Sequence, residues 1–211
     1  MARLLLAGAT GLVGQAALQQ ALASPRVERV VAPTRRALPP HPKLLNPLVD
    51  FDALPEDADW WRVDAVACAL GTTRRDAGSP EAFRRIDLGY PLAIARLTRA
   101  HGAGSFALVS AMGANARSPF LYSRTKGELE QALAACGFEA LAFVRPGLLG
   151  GERPRRRTGE WLAMRVLQAL QPVLPRRHRI VPAEGVAQAL LEAALAARPG
   201  CHVIDSARIP R

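Results

Sequence analysis

The sequence predicts an α/β fold, a single doubly wound parallel sheet in a three-layer α/β/α domain. Three observations carry this. Apolar runs of strand length alternate with helix-patterned segments along the whole chain. Two of those runs, ARLLLA and VDAVACALG, are apolar nearly throughout, as strands buried on both faces of a sheet are. No linker, internal repeat or low-complexity tract divides the 211 residues, so 1–211 reads as one domain.

The elements follow in order. Residues 2–7, ARLLLA, form a first strand ending at Gly8. GLVGQAALQQALA then carries helical spacing and strong helix formers. VERVVAPT is a second strand closed by Pro33, and LLNPLVDF a short third interrupted by Pro47. VDAVACALG at 63–71 is a fourth buried strand. Residues 80–101 make a long helix with Phe83, Ile86, Ile94 and Leu97 on one side and a kink expected at Pro91. SFALVSAMG is a fifth strand, 119–136 a helix, and FEALAFVRPG a sixth strand. GEWLAMRVLQAL is a helix with Thr158 as its N-cap. AEGVAQALLEAALAA is the last long helix and CHVID a terminal strand. The stretch 150–159 reads as a mobile surface loop. The expected strand order is 3-2-1-4-5-6-7, with 150–211 forming the substrate side.

Composition narrows the function. The formal net charge is +10, with arginines spread along the chain. Such a charge favours an anionic partner. The clusters RPRRR at 153–157 and RRHR at 176–179 lack interleaved aromatics, which argues against nucleic acid. No apolar run is long enough to span a bilayer. Three scattered cysteines, Cys68, Cys136 and Cys201, make no disulfide framework and point to a reducing, cytoplasmic compartment. The four histidines show no metal-ligand spacing, so no metal is expected. Trp60 and Trp61 read as packing. Trp161, Met164 and Leu167 read as a core face or subunit contact, leaving monomer and homodimer both open.

The first strand runs into GATGLVG. Gly8 allows a tight turn, Gly11 lets backbone approach a pyrophosphate, and Gly14 lets the helix pack on the sheet. The helix N-terminus then offers free N–H groups to phosphates. This is the phosphate turn of a Rossmann-type dinucleotide site. At the end of the second strand, where NAD-preferring sites carry an acid, this chain reads APTRRA. Arg35 and Arg36 suit a 2′-phosphate, so NADP(H) is expected ahead of NAD(H).

Lysine is rare here: Lys43 and Lys126 are the two among 28 cationic side chains. Lys126 follows Tyr122 by four residues within a helix, so the two are neighbours on one face. A phenol ordinarily titrates near pH 10, and a nearby ammonium favours its phenolate, poising it for proton transfer. A compact ammonium serves that role better than a planar guanidinium.

Taken together, GATGLVG, ACALGTT, LVS, YSRTK and VRPG resemble the short-chain dehydrogenase/reductase family. ALGTTR, FLYSRTKGE and RPGLL, in that order, are similar to its atypical, Tat-interacting-protein-like branch, which sits beside small epimerase-like proteins. The resemblance implies a phosphate loop of Gly8, Thr10, Gly11, Leu12, Val13 and Gly14, with Arg35 on the 2′-phosphate. It implies Asp50 and Phe51 near the adenine, and Leu70, Gly71 and Thr72 along the adenosine ribose side. It implies Tyr122 as proton donor or acceptor, Lys126 on the nicotinamide ribose, and Pro146, Gly147 and Leu148 flanking the nicotinamide. The family's carbonyl-polarising serine corresponds to Ser110, although the run here is Ser110-Ala111-Met112. Asp87 stands where the family often has asparagine. About 60 residues follow the sixth strand, which disfavours a bulky nucleotide-sugar substrate. The expected function is an NADP-dependent oxidoreductase acting on a small carbonyl or alcohol. The rival expectation is a non-catalytic NADP(H)-binding redox sensor with a protein partner.

Overall fold

The computed structural model describes residues 1–147, 149–150 and 180–211. The helix expected at 159–170, its N-cap Thr158, the loop at 150–159 beyond Gly150, both arginine clusters and Leu148 lie outside the described residues.

In chain order the strands are β1 (Ala2–Ala7), β2 (Val27–Val31), β3 (Leu44–Leu45), β4 (Ala65–Cys68), β5 (Ser105–Val109), β6 (Ala140–Arg145), β7 (Leu149–Gly150), β8 (Val181–Pro182) and β9 (Gly200–Asp205). Seven of them form one parallel sheet in the order β3-β2-β1-β4-β5-β6-β9. That is the expected order, with β9 as the seventh strand. The difference is a separate two-stranded pair, β7 with β8, matching Leu149 to Val181. Two residues per strand are too few to show a hydrophobic period.

The helices are α1 (Leu12–Ala23), α2 (Arg74–Ala77), α3 (Pro80–Arg84), α4 (Tyr90–Ala100), α5 (Leu121–Ala134) and α6 (Ala183–Ala196). Alternate residues of β1 face opposite sides, which explains its unbroken apolar run. Leu4 and Leu6 pack with Val13 and Ala17 of α1 and Val186 and Leu190 of α6. Leu5 and Ala7 pack on the other side with Ile94 of α4 and Leu129 and Leu133 of α5. The leucines among these are wholly buried, and each such side chain contributes about 2 kcal/mol. Trp61 is also wholly buried and donates from Nε1 to the Pro55 carbonyl at 2.6 Å, a packing role as expected.

The kink expected at Pro91 takes a definite form. Between α3 and α4 the chain makes one wide π-type turn, Arg85–Gly89. Proline has no N–H, and its ring crowds the carbonyl four residues back, here that of Asp87. The widened turn relieves that crowding, and such turns gather at functional sites. It carries Asp87, 1% exposed, into the interior.

Candidate active site

The glycine turn is built as the sequence implies. Gly8 sits at φ +85°, and a Cβ there would lie 2.7 Å from the Ala69 carbonyl carbon. A Cβ on Gly14 would lie 1.9 Å from the Gly8 oxygen. The Gly11 N–H closes the turn on the Gly8 carbonyl at 3.0 Å. Gly11 is also the N-cap of α1 and brings no capping side chain. The first-turn N–H groups of a twelve-residue helix therefore remain available to an anion.

A cavity of about 350 Å³ opens at the carboxyl ends of the central strands. Gly11, Leu12 and Val13 line it from the glycine turn, and Leu70, Gly71 and Thr72 from the segment after β4. Ser110 enters from the end of β5, Tyr122 and Lys126 from α5, and Pro146 and Gly147 from the end of β6. Backbone bonds hold the last two strand ends together: Ser110 N–H to the Val144 carbonyl at 2.8 Å and Met112 N–H to the Pro146 carbonyl at 2.9 Å. Gly8 and Gly14 stand behind this wall as shape-determining residues, and Thr10 is exposed on the turn. No described residue of 180–211 lines the cavity.

Three other expected residues lie apart from it. Arg35 is exposed in the loop after β2. Asp50 is exposed and accepts the Asp52 N–H at 3.0 Å. Phe51 is buried against Tyr90, ring centroids 5.4 Å apart, so its face is taken up by packing. The Arg35 loop has an anchor that the sequence did not reveal. Asn46 donates from Nδ2 to the Ala32 carbonyl at 2.6 Å and to Thr34 Oγ1 at 2.8 Å, and its Oδ1 accepts the Leu38 N–H at 2.8 Å.

Tyr122 is 41% exposed at the cavity mouth, its ring 6.0 Å from that of Phe83. Lys126, one helical turn deeper, is buried and forms an ion pair with Asp87, Nζ to Oδ1 at 2.8 Å. The second Asp87 oxygen accepts the Thr72 N–H at 2.7 Å. Lys126 is thus held to a carboxylate that the π-type turn delivers. Beneath them, burial pushes the Cys68 thiol up to about 11, so it is neutral near pH 7.

Ser110 is placed differently from its expected role. It is buried, and its hydroxyl donates to Glu130 Oε1 at 2.5 Å. Glu130 is itself held by Arg145, whose Nε donates to Oε1 at 2.9 Å and whose second guanidinium nitrogen pairs with Oε2. That pairing raises the guanidinium's affinity for its proton. With both Glu130 oxygens accepting from Arg145, the Ser110 hydroxyl is the donor in its bond to Oε1. Glu130 went unnoticed in the sequence, yet a signal existed: Tyr122, Lys126 and Glu130 recur every four residues along α5. Replacing Glu130 with alanine leaves the buried Ser110 hydroxyl and the half-buried Arg145 guanidinium without their partner. The expected loss is on the order of 3 kcal/mol, read as a lower urea midpoint at unchanged slope.

Among the described residues, no group of three or more His, Cys, Asp or Glu side chains is placed to hold a metal. No described helix is long and apolar enough to cross a membrane.

The chain is 40% identical over 156 residues to the mitochondrial protein FMP52 of Candida albicans, covering 69% of this chain and 66% of that one, just under two thirds of its length. It is 38% identical over 168 residues to the protein HTATIP2 of Rattus norvegicus, covering 77% of this chain and 69% of that one. In three dimensions it resembles the Bordetella bronchiseptica enzyme WbmH in complex with NAD+, with a TM-score of 0.70 at 15% identity, covering 98% of this chain and 76% of that one. No family model matches the chain. The fungal name overturns the cytoplasmic expectation. Unpaired thiols report a reducing environment and do not name the organelle that provides it. The two curated likenesses each span more than two thirds of this chain, well beyond the glycine turn: the chain belongs to the family of atypical short-chain dehydrogenase/reductases that includes FMP52 and HTATIP2.

Proposed function

We propose that this protein binds NADP(H) across the glycine turn and reduces a small carbonyl, or oxidises the matching alcohol, with Tyr122 as the proton-transfer residue. The observation that carries this is the single cavity shared by the glycine turn, Tyr122 and Lys126. The fit rests on shape as well as chemistry. Side chains at Gly8 and Gly14 would fill the cradle that a pyrophosphate needs. The Bordetella relative in shape is a complex with NAD+, which favours a nicotinamide ligand.

Within that reading, each residue has a limited task. The α1 N-terminus neutralises pyrophosphate charge, and Arg35, free at the surface, meets the 2′-phosphate. The dinucleotide supplies the hydride chemistry when bound. Lys126 orients the ribose beside Tyr122, and Tyr122 passes the proton to or from the substrate oxygen. Pro146 and Gly147 flank the nicotinamide, and Leu70, Gly71 and Thr72 line the adenosine side. A mitochondrial location accords with the fungal relative's name.

Calorimetric titration with NADP(H) and NAD(H), followed by a carbonyl panel read as NADPH absorbance, tests the proposal. Absence of heat with every dinucleotide would sink it. Arg35→Ala is expected to weaken NADP(H) about tenfold and to leave NAD(H) affinity unchanged, since it removes one charge-assisted contact made by the 2′-phosphate alone.

One observation favours a second reading, a non-catalytic NADP(H) sensor. Ser110 donates its only proton to Glu130 and so has none left for a substrate carbonyl. A protein that binds NADP(H) tightly yet turns over no member of the panel would fit that reading.

A further inference from the structure

Asp87 and Lys126 are the one acidic and the one basic side chain among the described residues lining the cavity. They lie 2.8 Å apart and are 1% and 4% exposed at the side chain, so solvent screens them little. Neither can drift from the other. The π-type turn fixes Asp87, the Thr72 N–H holds its second oxygen, and α5 fixes Lys126. Gly71 keeps this corner open, because a Cβ there would lie 3.2 Å from Asp87 Oδ1 and 3.5 Å from Lys126 Nζ. The neutral Cys68 thiol adds no charge. At neutral pH the cavity wall therefore presents a balanced pair.

A pyridine dinucleotide differs by one charge between its two redox forms: the oxidised ring is cationic and the reduced ring neutral. A cavity with an unopposed ammonium would penalise the oxidised form, and one with an unopposed carboxylate would favour it. We propose that the Asp87–Lys126 pair sets the redox-form preference of the bound dinucleotide, its balance admitting both forms with similar affinity. This inference rests on the nicotinamide reading above. It makes Asp87 a positioning and selectivity residue, acting through the charge of Lys126.

The test is the ratio of dissociation constants for NADP+ and NADPH, measured by titration on the full chain. The ratio cancels any loss common to both forms. In Asp87→Asn, whose side-chain oxygen can still accept the Thr72 N–H, it should rise about tenfold in favour of NADPH. In Lys126→Met it should fall about tenfold, in favour of NADP+. The doubly neutral variant should return to the parent ratio. Where Asp87→Asn fails to melt cooperatively, Lys126→Met and the double variant carry the test. Folded single variants whose ratios stay at the parent value, or move in the same direction, overturn the proposal. A parent that binds neither form fails at the earlier step, and removes the nicotinamide reading itself.

Discussion

Tyr122→Phe is expected to lower turnover at least about 100-fold while leaving the dissociation constant for NADP(H) close to the parent value. The substitution deletes one hydroxyl and keeps the ring, so the packing of that ring beside Phe83 survives. The side chain is 41% exposed, and a hydroxyl lost from such a position leaves no buried partner stranded. Stability should therefore stay within about 0.5 kcal/mol of the parent. The experiment pairs a single-turnover rate with a cofactor titration. Unchanged turnover would remove Tyr122 from the chemistry, and lost binding would make it a structural wall of the cavity. A fall in rate with binding intact is the signature of a group needed in the transition state alone.

The second large effect is expected from Gly14→Ala. In an ordinary helix this change is favourable by about 1 kcal/mol. Here the added carbon would stand 1.9 Å from the Gly8 oxygen, a backbone atom that cannot swing aside. To make room, α1 must lift away from β1 and open the turn that Gly11 closes. Core overpacking of this kind costs about 3 kcal/mol, more than the helical gain. A lower melting temperature and loss of dinucleotide binding are expected together. Gly89→Ala serves as the control, because nothing lies within 4 Å of a Cβ there. Equal behaviour of the two variants would show that the close approach at Gly14 carries no weight.

The parallel sheet was legible because both of its faces are covered. Leu4 and Leu6 must be apolar for one layer, Leu5 and Ala7 for the other, and the resulting run reads as a strand. The glycine turn was legible because its backbone demands glycine, at Gly8 by conformation and at Gly14 by proximity. The pairing of Tyr122 with Lys126 was legible because four residues make one helical turn. What escaped was tertiary. Asp87 meets Lys126 from a different element, through a turn whose width Pro91 hinted at only as a kink. Glu130 on α5 meets Arg145 at the end of β6, and that contact decides which way the Ser110 proton points. Phe51 reads as a candidate for contacting adenine, yet the core claims it. The organelle was beyond reach, because redox conditions alone set the expectation drawn from the cysteines.

Asn46 has a consequence for redesign. The segment proposed above to meet the 2′-phosphate hangs from an amide on the neighbouring edge strand region, 14 positions from the Ala32 carbonyl it grips. Grafting residues 33–38 from an NAD-selective homologue would transplant the reading head without its bracket. On the proposed reading, coenzyme choice in this scaffold is not modular. It is shared between two stretches of chain, and a successful swap must carry both.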